Sequence, residues 1–589
     1  MKLIAKSSIA LLVSSALVAC GGTKGSFEVD DVETPQKEIA IPSSKDITTS
    51  REQEVELDEL MKPAYGYSAK IPRRERVPLP KGQPEANIKQ EDIVPLTDFT
   101  EAIPYLKELM EDQDSNGIQY THNESGKKLQ QRQGYQYIKT GYTAASATKR
   151  VGEISNLSHF STGNIGYVYY RGQSPASSIP DTTDTVTYQG TWDFVTDAKT
   201  PRKRQDGFVR GAGINSGAIS SDESVYDGRL GDNHSNGTPY KLGHTSEFSV
   251  NFNDKTLTGK LYRNSDPHSE TKEQTSTERY AIEANIYGNR FRGKATAKTE
   301  HELFKDSSDY LEGGFFGPNA EELAGKFVVP KTATDGSTAY SLFAVFGAKR
   351  EKAENEQTTT LFDAVKINHD FQANSLDNFG DARKLLIDGQ ELSLIGTDDQ
   401  FIYTKSLGKE GAQVVVCCSN LQYTKFGLIQ QDNQLAMFLQ GERTKASEMQ
   451  QQTGSVQYKG TWEGRIDAST VWGTSAGNSH GSSRSEFDVD FSNKTIEGRL
   501  IAEDSINPAF TLVGEIDGSR FNARASTGSN GLNLDRQNLL NPKLVHFTNV
   551  QASGGFFGKN ASELGGSFSL NEEGKKIGVV FGAKRQVNE

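Results

Sequence analysis

The chain is poor in the residues that staple or metallate a protein: three cysteines and nine scattered histidines in 589 residues. Cys20 lies near the N-terminus, while Cys417 and Cys418 are neighbours. Two adjacent thiols without a second Cys/His pair lack zinc spacing, so no metal site is expected. Adjacent strand residues point to opposite faces, so a Cys417–Cys418 bridge needs a distorted turn; buried free thiols and a vicinal disulfide stay open alternatives. Excess positive charge is also missing. The formal net charge of −12 argues against a general nucleic-acid binder, whose affinity rests on basic phosphate contacts. Arg73-Arg74-Glu75-Arg76 reads as solvated surface. The apolar stretch from Ile9 to Val18 is too short to span a bilayer. What is abundant is glycine (57), Phe (29) and Tyr (21), with 34% hydrophobic residues. That balance points to a mainly β protein, and the length to several domains.

Lys2 and Lys6 precede the apolar stretch, which ends in Leu17-Val18-Ala19-Cys20-Gly21. This resembles a bacterial lipoprotein signal, with 1–19 as signal peptide and Cys20 as the lipidated first residue. Several acyl chains together make a stable anchor. Residues 20–55, rich in acidic residues, Thr, Ser and Pro, read as a flexible anchor peptide.

An internal repeat organises the rest. Val186-Thr-Tyr188-Gln-Gly190-Thr-Trp192 returns as Val456-Gln-Tyr458-Lys-Gly460-Thr-Trp462, and Ser246-Glu-Phe248-Ser-Val250-Asn-Phe252 as Ser485-Glu-Phe487-Asp-Val489-Asp-Phe491. Ile286-Tyr-Gly288-Asn-Arg290-Phe291 matches Ile516-Asp-Gly518-Ser-Arg520-Phe521. Gly313-Gly-Phe-Phe-Gly317-Pro-Asn319-Ala-Glu-Glu322-Leu323 matches Gly554-Gly-Phe-Phe-Gly558-Lys-Asn560-Ala-Ser-Glu563-Leu564, and Val345-Phe-Gly347-Ala-Lys349-Arg350 matches Val580-Phe-Gly582-Ala-Lys584-Arg585. Blocks in one order define two homologous lobes. Alternation within them, as in Phe248, Val250 and Phe252, predicts antiparallel strands, and their number and closing strand fit a barrel, which leaves no open edge. Asn319 and Asn560 are placed to cap short helical turns. Asp98 could cap a helix over Thr100 to Met110.

The doubled Gly-Gly-Phe-Phe-Gly-x-Asn-Ala-x-Glu-Leu motif, with the lipidation signal and this length, resembles the transferrin-binding protein B family. The resemblance implies that each lobe is a β-rich handle domain followed by an eight-stranded antiparallel β-barrel: handle 56–185, barrel 186–352, handle 353–453, barrel 454–589. It also implies the partners. These are iron-loaded host serum transferrin, a TonB-dependent outer-membrane channel (transferrin-binding protein A), and the outer membrane itself through the lipid anchor, with the protein exposed at the surface of a Gram-negative bacterium. A lactoferrin-binding or adhesive lipoprotein is the alternative; long acidic runs in the second lobe, the mark of the lactoferrin-binding relative, are missing.

Catalytic patterns do not accumulate, and neither an enzyme nor a cofactor is expected. Gly473-Thr-Ser475-Ala-Gly477 and Gly477-Asn-Ser479-His480-Gly481 match the nucleophile elbow but overlap in a Ser/Gly-rich loop without its strand-to-helix frame. Asp112-Gln-Asp114-Ser-Asn116-Gly117 opens like a calcium loop, yet its closing ligand position falls on Asn123. The Gly-Gly-Phe-Phe-Gly block, present in both lobes, reads as structural.

The resemblance places the ligand surface on the first lobe. The local candidate is Gly166-Tyr167-Val168-Tyr169-Tyr170-Arg171. Alternation puts Tyr167 and Tyr169 on one face and Val168 and Tyr170 on the other. If the valine side packs inward, Tyr167, Tyr169 and Arg171 are outward anchors of the type interfaces favour; a cross-strand aromatic ladder is the alternative. Tyr65, Asp232 and His234 are further candidates.

Overall fold

The fold is that of a computed structural model. It describes residues 59–586 apart from 77–86, 98–133, 198–218, 221–242, 266–272, 474–482 and shorter gaps; the side chains of 143–165 are likewise not described. The chain divides into two compact units that meet in sequence at Thr358 and Thr359.

In the first unit eight antiparallel strands close a barrel: Val186–Thr196, His244–Asn251, Thr256–Asn264, Ser276–Tyr287, Arg290–Ala297, Ser308–Phe316, Glu322–Thr332 and Thr338–Lys349, the last pairing back to the first. Phe248, Val250, Leu257, Leu261 and Phe346 fill the interior with Trp192 and Phe315, all essentially buried. Successive strand residues face opposite sides, so Phe248, Val250, Leu257 and Leu261 alternate with more exposed neighbours, whereas the neighbours of Trp192, Phe315 and Phe346 are buried as well. The connections differ by end. At one end the turns are short, at 252–255, 288–289 and 317–321; at the other lie 197–243, 265–275, 298–307 and 333–337.

The handle precedes the barrel. Strands β1 (Gly66–Lys70), β2 (Arg74–Arg76), β3 (Ile93–Leu96), β4 (Ile138–Ile154) and β5 (Leu157–Gly172) form one sheet in which β5 pairs with β4 on one side and with β1 and β2 on the other. One face packs on the outside of the barrel wall: Tyr67, Ala69, Val168 and Tyr170 share a core with Phe316, Val328, Phe343 and Val345.

The second unit repeats the design. Ser455–Ile466, Arg484–Asp490, Thr495–Ile501, Pro508–Asp517, Arg520–Ser526, Val550–Phe557, Glu563–Glu572 and Lys575–Arg585 close on themselves, with Thr470–Gly473 added beside the first strand. Its handle sheet includes the hairpin Thr424–Gln431 and Gln434–Glu442. Cys417 and Cys418 are both buried and are joined as a vicinal disulfide beside Thr461 of the barrel.

The repeated glycines have a steric cause. A Cβ at Gly313 would lie 2.4 Å from the Phe291 ring, and one at Gly554 would lie 2.3 Å from Phe521. One local expectation is corrected. Only the second lobe forms a helical turn after the motif, a 3-10 turn at Lys559–Ala561, with Asn560 inside it at φ 55° rather than capping it. In the first lobe the Asn319 N–H donates to the Glu321 carboxylate at 2.8 Å and the strand begins directly. The expected helix over Thr100 to Met110, the calcium-like loop and the two serine elbows beyond Gly473 lie outside the described residues.

Candidate partner-binding surface

The sequence that roots the handle hairpin is itself duplicated. Gln136-Tyr137-Ile138-Lys139-Thr140-Gly141 at the start of β4 matches Gln422-Tyr423-Thr424-Lys425-Phe426-Gly427. Gly141 and Gly427 both take positive φ (135° and 153°), a conformation that glycine adopts without the steric penalty of a side chain. Paired with them across the hairpins are Tyr169 and Phe438. At the far ends of the return strands Gly172 and Gly441 sit against Phe316 and Phe557, the second phenylalanine of each motif; an added Cβ would come within 2.3 and 2.5 Å of the rings.

From this common root the hairpins diverge. The second-lobe strands have 8 and 9 residues and end in a tight turn at Asp432 and Asn433, both with positive φ. In the first lobe β4 has 17 residues and β5 has 16, paired to Ile154 and Leu157. The extension beyond the Ala145–Ile165 pair has no counterpart in the second lobe. Tyr170 reaches Glu312, which pairs with Lys326 of the barrel wall. From Tyr170 to Leu157 β5 covers roughly 40 Å, against roughly 20 Å from Lys326 to the end of its strand at Thr332. The hairpin is therefore longer than the wall it starts on, and it runs toward the end with the long connections.

Buried charge holds the hairpin to the wall. The Tyr170 hydroxyl donates to Glu312 Oε2 at 3.0 Å, and Arg290 pairs with the other oxygen of Glu312. Lys326 donates to the Leu60 carbonyl, and its Nζ lies 4.6 Å from the centre of the Tyr67 ring. Burial pushes the Lys326 ammonium down to about 8 and raises both tyrosine hydroxyls. In the second lobe serines 553 and 567 replace Glu312 and Lys326, so this charged cluster is specific to the first.

The anchor candidates need correction. Tyr167, Tyr169 and Arg171 do lie on the face opposite Val168 and Tyr170, and the valine side does pack inward, but that opposite face is covered too: the three are only 3%, 4% and 8% exposed. Alternation assigns faces without saying what lies over them. The uninterrupted run Tyr-Val-Tyr-Tyr was the available signal, because a strand covered on both sides reads as continuously apolar. Tyr65 is half-buried, and its carbonyl accepts the Gly172 N–H at 2.7 Å. Cys20, Asp232 and His234 lie outside the described residues. Among the described residues no group of His, Cys, Asp and Glu is placed to hold a metal ion.

Comparison with known proteins accounts for nearly the whole chain. A family model described as the C-lobe and N-lobe beta barrels of Tf-binding protein B matches residues 179–350 and 451–585. The N-lobe handle model of Tf-binding protein B matches 43–176, and the C-lobe handle model 359–444. A Neisseria meningitidis serogroup B relative named Transferrin-binding protein B is 39% identical over 97% of this chain and 96% of its own length. One of the same name from Haemophilus influenzae is 30% identical over 98% of both chains. The crystal structure of the isotype 1 Transferrin binding protein B from serogroup B Neisseria meningitidis superposes with a TM-score of 0.71, at 38% identity, covering 89% of this chain and all of that one. With both handles, both barrels and the full span matched, this chain belongs to the transferrin-binding protein B family.

Proposed function

We propose that this protein is a surface receptor, lipidated at Cys20 and held at the outer membrane, that captures iron-loaded host transferrin with its first lobe and presents it to a TonB-dependent transporter for iron acquisition. The relatives' names and the family match support transferrin as ligand; the signal-like N-terminus supports the anchor. The observation that carries the choice of lobe is the hairpin extension, present in one lobe and lacking in the other. A duplicated element is explained by the shared fold. An element grown on one copy alone needs a separate cause, and a binding surface supplies it.

In this reading the β4–β5 extension and the long barrel connections form the docking face, with Asp232 and His234 on the 197–243 connection as contacts; Tyr65, whose carbonyl accepts the Gly172 N–H, belongs to the hairpin root and supports that face from its far end. Tyr167, Tyr169 and Arg171 act from behind, stiffening the sheet. An interface of ordinary size would bury on the order of 800 Å² on each partner. Preference for the iron-loaded ligand follows if the face spans two subdomains that move apart when iron leaves, since a ligand shifts only by its differential affinity. The tether would set effective concentration at the transporter.

Surface plasmon resonance of the full chain against iron-loaded transferrin, iron-free transferrin and lactoferrin tests this reading. Saturable binding of iron-loaded transferrin, at least tenfold tighter than either alternative, is expected. Equal affinity for the two transferrin forms would remove the selectivity mechanism. Preference for lactoferrin would reassign the ligand.

A further inference from the structure

At the root of the long hairpin, three backbone amides are held by one barrel carboxylate. Glu322 opens the barrel strand Glu322–Thr332 and is 3% exposed. Its Oε1 accepts the Gln136 N–H at 2.7 Å, and its Oε2 accepts the N–H groups of Tyr137 and Ile138 at 2.8 and 2.9 Å. Three successive amides at the root of β4 thus converge on one side chain of the wall. Beside them the Tyr135 hydroxyl donates to the Gly347 carbonyl at 3.0 Å, one strand over. In the second lobe Glu563 accepts the N–H groups of Gln422 and Tyr423 at 2.7 and 3.0 Å, the same Gln-Tyr pair. The glutamate is the one in the repeated Asn-Ala-x-Glu-Leu motif, and the amides belong to the repeated Gln-Tyr step.

We infer that Glu322 is a positioning residue for partner capture: its carboxylate sets the angle at which the β4–β5 hairpin leaves the barrel. The inference rests on the transferrin-receptor reading for the partner, and on the hydrogen bonds alone for the geometry. Charge-assisted bonds from backbone N–H groups are stronger and shorter than neutral ones, so a carboxylate that takes three of them holds the root firmly. Seventeen residues of β4 put the tip roughly 50 Å from that root, so a tilt of about 6° would carry it through roughly 5 Å. A docking surface tolerates far less displacement than that. In the second lobe the same clasp holds a hairpin about half as long, to which no partner is assigned.

Glutamine at 322 keeps one acceptor oxygen but loses the charge and turns an NH2 group toward the donor amides. Glu322→Gln and Glu563→Gln, each in the full chain, separate position from fold. Two quantities are read: affinity for iron-loaded transferrin and amide hydrogen exchange. Glu322→Gln is expected to weaken binding at least tenfold and to speed exchange at 136–138, while the barrel strands keep their protection. Glu563→Gln is expected to speed exchange at 422–423 and to change affinity less than twofold. Should Glu322→Gln fail to fold, Glu322→Asp retracts the carboxylate by one methylene while keeping its charge; it is expected to show the same pattern with a smaller loss.

Binding within twofold of wild type by the folded variant would overturn the inference. So would unchanged protection at 136–138, or a loss of binding accompanied by faster exchange throughout the barrel. If the wild-type chain itself fails to bind transferrin, the receptor reading falls, and exchange at 136–138 still decides whether Glu322 sets the hairpin.

Discussion

The two lobes agree to single hydrogen bonds inside their barrels and, among the described residues, differ in the length of the hairpin each handle carries. The Tyr188 hydroxyl donates to the Ala320 carbonyl at 2.6 Å, and Tyr458 does the same to Ala561 at 2.6 Å. Trp192 Nε1 donates to the Tyr262 carbonyl at 2.9 Å, and Trp462 Nε1 to Ile501 at 3.0 Å. Ser246 and Ser485 each reach the carbonyls of two neighbouring strands at 3.2 Å. Outside the barrel interior the copies separate. The first lobe buries Arg290, Glu312 and Lys326 beneath a long hairpin; the second fills the space at Gly555 with Arg443, paired to Asp363, and carries the disulfide. Shared residues therefore report on the common scaffold, barrel and hairpin root alike, and unshared ones on what each lobe does with it.

If that division is right, the two tryptophans are equivalent. Trp192→Ala and Trp462→Ala should each cost about 4 kcal/mol in the unfolding free energy of their own lobe, the range for deleting a large buried aromatic. Denaturant melts that resolve the two lobes check this, and a difference of more than about 2 kcal/mol would break the equivalence. Next in size is Tyr167, whose register-matched position in the second lobe is Ala436. Tyr167→Ala should destabilise the first lobe by about 3 kcal/mol. It should weaken transferrin binding through a loosened sheet, whereas Ala436→Gly should leave binding unchanged; titration calorimetry at a temperature where both variants are folded compares them.

A pH-dependent difference concerns Glu442, which follows Gly441 as Gln173 follows Gly172. Burial, and then the neighbouring Asp381, push its carboxyl from the ordinary 4.5 up to about 7. The folded lobe thus holds a proton that the unfolded chain has released between those values. Stability from this group is complete below about pH 4.5 and is lost as pH rises through 7. Glu442→Gln should flatten that part of the second lobe's stability profile and leave the first lobe's profile alone, as pH-resolved melts would show.

Much of this was legible in the sequence. Five repeated blocks, with Phe248, Val250 and Phe252 on one face, specify the barrels, because period-two alternation and turn residues are local signals. The faces of the Tyr167–Arg171 strand were legible too. Its burial on both sides was not, since cover is supplied by other parts of the chain. The hairpin root was readable in principle: Gln136-Tyr137 and Gln422-Tyr423 with a glycine four residues on. Its offset differs from that of the barrel blocks, because the lobes differ in length between root and barrel. The clasp by Glu322 joins residues 184 to 186 positions apart, and no local pattern announces such a contact.

Shortening the first hairpin to the length of the second would show whether its extension carries the docking face. Residues 146–164 would be replaced by an Asp-Asn turn, and the full chain titrated calorimetrically with iron-loaded transferrin. If the extension is the docking face, the shortened chain keeps a folded first lobe whose affinity falls on the order of 100-fold or more, as when a whole set of interface anchors is removed. Binding at wild-type strength by the shortened chain would contradict it.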